Sequence, residues 1–182
     1  MTPQTLVILD RDGVINHDSD SYIKSVEEWS PIVGSIDAIA RLSQAGYKVV
    51  IATNQSGLAR GYFDEVTLAN IHNYMCSLVE NVGGHIDAVF YCPHGPEDGC
   101  SCRKPLPGML YQIEGVFNLS TRNAFFVGDT EKDIDIALAN HCRPVLVRTG
   151  KGAAVEKQLG IEKKTQVKIV DDLAAAVDFI LM

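Results

Sequence analysis

Six strand-sized apolar runs, separated by longer stretches of helical period, constrain this chain more than any other feature. Such alternation builds a parallel sheet covered by helices on both faces. The runs are 6–9, 48–52, 88–91, 124–127, 144–147 and a weaker one at 167–170. Each is nearly all apolar, the composition of strands buried on both sides. Between them, residues 35–45 put Ile36, Ile39, Ala40 and Leu42 near one face and meet Gly46, a residue that ends helices. Further helices fit 64–82, 108–117, 131–140, 153–159 and 171–181, the last capped by Asp171 or Asp172. The expected fold class is α/β, with a doubly wound, mainly parallel sheet. With 182 residues and no internal repeat, the chain is expected to form one domain over 1–182.

Open sheets of this kind bind ligands at the carboxyl ends of their strands, near the point where strand order reverses. Asp10 and Asp12 follow the first run, Thr53, Asn54 and Gln55 the second, Lys104 the third, and Gly128 and Asp129 the fourth. Any one of these is weak evidence, since acidic residues and threonines after strands commonly serve as turns and caps. Their joint order points to phosphoryl transfer, which needs a nucleophile, neutralising cations and a proton donor for the departing alkoxide.

Asp10 suits the nucleophile. Alternation along an extended segment puts Asp12 on the same side, where it can act as acid for the leaving group and then as base for water. Gly13 lets the chain turn away without a side chain over the ligand. Asp10, Asp129 and Asp133 would repel one another unless a hard cation joined them, which is the expected role of magnesium. The backbone carbonyl of Asp12 is a further ligand, and Asp133 contributes through a water or by orienting Asp129. Thr53 and Lys104 are expected to hold the phosphoryl oxygens.

The stretch between the third and fourth runs carries a second metal signature. Cys92-x-His94, five intervening residues, then Cys100-x-Cys102 provide three thiolates and an imidazole, a closed tetrahedral set for structural zinc. Two Gly and two Pro residues let this loop, 92–104, reverse tightly without a core of its own. The competing readings are a flexible loop or a redox pair of Cys100 and Cys102; the latter spacing makes a poor disulfide and leaves Cys92 and His94 unexplained. Arg103 and Lys104 follow the last ligand directly, so the zinc is expected to aim both into the crevice. Cys76 and Cys142 read as buried packing residues, and His17, His72, His85 and His141, which show no such spacing, as surface or packing residues.

A net charge of −7 disfavours a nucleic-acid surface. No basic segment precedes a long apolar stretch, so neither leader nor membrane span is expected. The expectation is a cytoplasmic protein, monomeric, acting on a small soluble phosphate ester.

Asp10-x-Asp12, Thr53, Lys104 and Gly128-Asp129 with Asp133 resemble the four motifs of the haloacid dehalogenase superfamily of phosphatases, over essentially the whole chain. The resemblance implies a Rossmann-like core, a phosphoaspartate at Asp10, acid–base work by Asp12, and magnesium held by Asp10, Asp12 and Asp129. Many members carry a cap domain, but here the first gap, 13–34, is short and the second is mostly one helix, so no large cap is expected.

Among uncapped members with this zinc loop, Asp10-Arg-Asp-Gly-Val-Ile-Asn16, Thr53-Asn-Gln-Ser-Gly-Leu-Ala-Arg-Gly61 and Cys102-Arg-Lys-Pro105 look like the heptose bisphosphate branch. That resemblance places Asp18 to Ser21, Thr53 to Ser56 (with Asn54 and Gln55 between) and Arg103 around a sugar phosphate. It implies loss of the 7-phosphate from a heptose 1,7-bisphosphate, in precursor supply for bacterial lipopolysaccharide or other surface glycans. Histidinol phosphate is the other substrate handled by zinc-loop relatives, and a catalytically silent, zinc-stabilised binding module is the reading outside enzymes. One departure stands out: relatives often carry Lys directly after the metal-binding aspartate, where this chain has Thr130. Lys132 is the candidate substitute, although its helix is expected to turn it away.

Overall fold

The computed structural model describes residues 6–182. Its strands, β1 (Leu6–Leu9), β2 (Lys48–Asn54), β3 (Ala88–Cys92), β4 (Phe125–Gly128), β5 (Arg143–Val147) and β6 (Lys168–Val170), form one sheet in the order β3-β2-β1-β4-β5-β6. Every neighbouring pair is parallel. The chain runs outward from β1 to β3, then returns to lay β4 on the other side of β1. Strand order therefore reverses beside β1, and the crevice opens at its carboxyl end.

Alternation along β1 divides the core. Val7 and Leu9 join Val49 and Ile51 in a layer with Ile39, Leu42, Ile71, Met75, Leu173 and Val177. These last come from α1 (Ser35–Gln44), α2 (Glu65–Asn81) and α7 (Leu173–Leu181). Leu6 and Ile8 face the other way with Val50 and Ala52, against Met109, Leu110 and Ile113 of α3 (Gly108–Phe117) and Ile136 of α4 (Glu131–Ala139). Each such side chain gains about 1.5–3 kcal/mol from burial, so register on both faces is strongly specified.

Element ends follow local chemistry. Asp64 caps α2 by accepting from the Thr67 amide at 2.8 Å, and Asp172 caps α7 by accepting from Ala175 at 2.8 Å. Gly46 takes φ 87° just past α1, the left-handed turn that ends a helix.

Three expectations need correction. The edge strands β3 and β6 are largely half-buried instead of doubly buried, because each lacks a neighbour on one side. A short helix, α6 (Ile161–Gln166), follows α5 (Gly152–Gln158); α6 buries no residue, so it has no apolar period to read. Finally, β2 extends to Asn54, which puts Thr53 inside the strand. The connection between β1 and α1 holds only isolated bridges, Asp12 with Asn16 and Asn16 with Pro31, and α2 is the one helix between β2 and β3, so no large cap covers the crevice. Among the described residues no helix is long and apolar enough to cross a membrane.

Candidate active site

Asp10 continues the line of β1, its amide bonded to the Val127 carbonyl of β4 at 2.9 Å. Its Oδ1 accepts from the Arg11 amide at 2.7 Å and lies 3.0 Å from Lys104 Nζ. Lys104 is buried, and its ammonium also reaches Asp133 Oδ1 at 2.7 Å. Burial opposes that charge, but the Asp10 and Asp133 carboxylates outweigh it and hold the lysine above its usual range. Behind the pair, Asp133 Oδ2 accepts from Thr130 N at 3.1 Å and Thr130 Oγ1 at 2.6 Å. Both Asp133 oxygens are thus engaged. Thr130, where the resemblance led to the expectation of a lysine, is committed to capping α4 and fixing Asp133.

Asp129 follows β4 and is nearly fully buried. Its Oδ2 accepts from the Lys151 amide at 2.9 Å, while its Oδ1 is buried with no hydrogen-bond partner. Two glycines enclose it: a Cβ at Gly13 or Gly150 would lie 2.1 or 2.2 Å from Asp129 Oδ2, and both residues take positive φ. Asp10, Asp129 and Asp133 offer carboxylate oxygens within 4.8 Å of one another. Burial, with the neighbouring carboxylates adding, pushes Asp10 up to about 7 against the pull of Lys104, and Asp129 up to about 8. An orphaned carboxylate oxygen in a cluster that resists ionisation fits a hard divalent cation. Asp10 and Asp129 suit it as direct ligands. Asp133 spends its oxygens on Lys104 and Thr130, so it positions Lys104 and not, as expected, Asp129.

Asp12 is held from three sides. Its Oδ1 accepts from Arg11 Nη2 at 2.8 Å, Arg11 Nε at 3.1 Å and Asn16 Nδ2 at 2.9 Å; its Oδ2 accepts from Gln55 Nε2 at 2.9 Å. Burial would raise its pKa, but the Arg11 guanidinium and the donors from Asn16, Arg11 and Gln55 hold it below the usual carboxylate range. Gln55 Nε2 also lies 2.9 Å from Thr53 Oγ1.

The zinc loop has the expected geometry. Cys92 Sγ stands 3.6 Å from His94 Nδ1, 3.6 Å from Cys100 Sγ and 3.1 Å from Cys102 Sγ, and His94 Nδ1 stands 3.3 Å from Cys102 Sγ. Bonds of about 2.3 Å to sulfur and about 2.0 Å to nitrogen give tetrahedral edges of roughly 3.5–3.8 Å, so four atoms this close fit a zinc ion with little movement. The loop is tied down beyond its ligands. Arg103 Nη1 donates to the His94 carbonyl at 3.2 Å, and Asn54 holds the Lys104 backbone through Lys104 N at 3.0 Å and Lys104 O at 3.3 Å.

The crevice, about 290 Å³, is lined by Asp10, Asp12, Asp18, Thr53, Asn54, Gln55, Ser56, Arg103, Lys104 and Asp129 of the predicted set. Ser21 is absent from the lining: its amide is held by Ser19 Oγ at 3.2 Å, on the exposed side of the loop. Lys132 and Lys151 do line it. Lys132 sits in the first turn of α4, which carries it along the crevice rim instead of away, and burial with the Arg103 and Lys151 charges lowers its pKa. Lys151 pairs with Asp18 at 3.4 Å. Lys132 stands within the Gly128–Asp133 motif but is no signature residue of it, Lys151 lies in no recognisable motif, and only the topology brings the end of β5 to this mouth. His72, read as a packing or surface residue, is buried against Arg11, its Nε2 3.1 Å from Arg11 Nη1.

A parallel sheet in this order, with paired aspartates after its first strand and a lysine and aspartate converging from two others, defines a haloacid dehalogenase-like hydrolase. A family profile described as HAD-hydrolase-like matches residues 101–176. The chain belongs to the D-glycero-beta-D-manno-heptose-1,7-bisphosphate 7-phosphatase family of that class: it is 52% identical over 178 residues to the enzyme of that name from Pseudomonas aeruginosa, covering 98% of each chain. The namesake from Pseudomonas putida is 53% identical, with 93% of this chain and 95% of that one covered. The crystal structure of D,D-heptose 1,7-bisphosphate phosphatase from Bordetella bronchiseptica, complexed with magnesium and phosphate, matches with a TM-score of 0.93 at 48% identity, over 97% of this chain and 98% of that one.

Proposed function

We propose that this chain is a magnesium-dependent phosphatase that removes the 7-phosphate of D-glycero-β-D-manno-heptose 1,7-bisphosphate, in heptose supply for bacterial lipopolysaccharide. The observation that carries the reading is the Asp10, Lys104 and Asp129 constellation at the floor of a crevice rimmed by Arg103, Lys132 and Lys151. The protein works as one phosphatase domain over 1–182, a cytoplasmic monomer with a small-molecule substrate.

Asp10 attacks phosphorus in line, the bond to the carbon-7 oxygen breaks, and Asp12 gives that oxygen a proton. The dianionic phosphoryl group arriving beside Asp12 favours its protonated form, against the donors that favour its carboxylate in the free enzyme. Water then attacks the phosphoaspartate, Asp12 takes the water's proton, and Asp10 is released with inorganic phosphate. Lys104 and Thr53 hold the phosphoryl oxygens throughout. Magnesium, when bound by Asp10, Asp129 and the Asp12 carbonyl, supplies neutralisation of the phosphoryl charge. Arg103 grips the phosphate left outside, with Lys132 and Lys151 adding charge, and Asp18, Ser19 and Ser56 face the sugar, while Asn54 holds the Lys104 backbone.

A substrate panel read by phosphate release and product mass tests the assignment. Heptose 1,7-bisphosphate is expected to show the highest kcat/KM and to yield the 1-phosphate. Better turnover of histidinol phosphate would overturn it, and no magnesium-dependent release even from an aryl phosphate would favour a silent binding module. Arg103→Ala should lower kcat/KM for the bisphosphate by about 10–100-fold while changing that for a small aryl phosphate much less.

Magnesium must also displace protons from Asp10 and Asp129, whose pKa values lie at about 7 and about 8. The magnesium concentration giving half-maximal activity should therefore rise as pH falls through that window. A pH-independent requirement would count against these two carboxylates as ligands.

A further inference from the structure

Arg11 is fully buried, the largest side chain to be so, and its guanidinium charge is permanent. Its surroundings are specific. Nε and Nη2 fork onto the Asp12 carboxylate at 2.8–3.1 Å, Nη2 also lies 3.4 Å from Gln55 Oε1, and Nη1 meets His72 Nε2 at 3.1 Å. An obligate donor facing Nε2 makes that nitrogen the acceptor, which puts the ring proton on Nδ1 and leaves His72 neutral. Burial and the Arg11 charge hold the ring in that form, lowering its pKa to about 3.

We propose that Arg11 and His72 are positioning residues for Asp12: the neutral His72 ring fixes the buried Arg11 fork, and the fork sets the plane and reach of the Asp12 carboxylate. This rests on the reading of Asp12 as proton donor. A purely structural role explains the arrangement poorly, because well-packed apolar residues usually serve a core as well as or better than a buried ion pair. A planar fork does what apolar packing does not, since it specifies a carboxylate's orientation through paired bonds. Gln55 closes the other side, bonding both Asp12 Oδ2 and Thr53 Oγ1. The result is one carboxylate orientation at the crevice, with the Asp12 side chain still 23% exposed for the leaving oxygen. His72 comes from the middle of α2, sixty-one residues from Arg11, so the helix packed on the sheet completes the alignment of a strand-end acid.

The experiment compares kcat/KM, which reports the first chemical step, for two esters: a simple alkyl phosphate, whose alkoxide needs a proton, and 4-nitrophenyl phosphate, whose leaving group needs none. His72→Leu keeps bulk and removes the acceptor; Arg11→Lys keeps charge and removes the fork; His72→Gln restores an acceptor. Thermal melting identifies which variants are folded at the assay temperature. Folded His72→Leu or Arg11→Lys is expected to lose on the order of 10–100-fold on the alkyl ester and about threefold or less on the aryl ester, with His72→Gln recovering most of the loss. Equal losses on both esters, or no loss in either folded variant, would overturn the proposal, as would unfolding of both with His72→Gln no better. Asp12→Asn run alongside separates the two readings. If Asp12→Asn spares the aryl ester and folded His72→Leu does not, positioning is wrong and the proton donor stands; if Asp12→Asn loses both equally, the proton-donor reading itself fails.

Discussion

Asp10→Asn is expected to lower phosphate release by at least about 10⁴-fold while leaving the fold intact. An amide oxygen is a poor nucleophile toward phosphorus and a weaker anchor for a hard cation than a carboxylate. The fold should survive because the Asn oxygen can still accept from the Arg11 amide, and Lys104 keeps its 2.7 Å pair with Asp133. Removing one of three crowded carboxylates also relieves repulsion, so the metal-free variant should melt no lower than the wild type. Rapid quench of wild type with substrate, followed by intact-mass measurement, should find a phosphoryl adduct that the variant lacks. Turnover within about a hundredfold of wild type, in protein shown to contain only Asn at position 10, would move the nucleophile elsewhere.

What could be read in the sequence was what depends on short spacing. Asp10 and Asp12 are readable because a strand alternates its side chains, and the zinc ligands because four of them lie within eleven consecutive residues. The strands and most helices follow from period, and α6 escapes because a helix with no buried face has no period to show. The contacts that finish the site are another matter. Lys151 N reaches Asp129 across twenty-two residues and His72 reaches Arg11 across sixty-one, distances closed only once β5 lies beside β4 and α2 packs on the sheet. Neither group carries a motif, and a backbone amide never can. The resemblance also placed Asn54 and Gln55 on the substrate. Both line the crevice, yet their polar groups are engaged with the Lys104 backbone and with Asp12 and Thr53.

Asp133 shows the same division between type and role. Three acidic residues brought together at the ends of β1 and β4 signalled a cation, and the distances agree. The sequence already set Asp133 apart as an indirect contributor, and the structure gives the reason: Asp129 keeps an oxygen without a partner, whereas Asp133 spends both on Lys104 and the cap of α4. Thr130 fits that arrangement, since its hydroxyl and amide both serve Asp133. The positive charge at the crevice mouth then comes from the rim, where Lys132 stands in the first turn of α4 and Arg103 on the zinc loop.

Stripping zinc, or replacing Cys100 by Ser, is expected to destabilise the protein and to remove bisphosphate selectivity before it removes chemistry. The loop buries little apolar surface of its own: residues 96–99 and 105–106 are exposed, and what packs on the core is chiefly the ligand cysteines themselves. Metal binding thus stands in for missing burial, and a fall in melting temperature on the order of 10 °C is expected. The order of functional losses follows from two anchors of different kind. Arg103 is held by the carbonyl of a zinc ligand, His94, so its aim fails with the metal. Lys104 is held by Asn54 of β2 and by Asp10 and Asp133, none of which needs zinc. Zinc-depleted protein kept below its melting temperature should therefore lose most of its preference for the bisphosphate while retaining much of its turnover of a small aryl phosphate. Restoring zinc should release protons, because burial and the Cys102 thiol beside it push Cys92 up to about 12 without the metal. Elemental analysis of gently purified protein should find about one zinc per chain, and full bisphosphate activity in protein shown to hold none would end the case for the loop as a zinc-built substrate clamp.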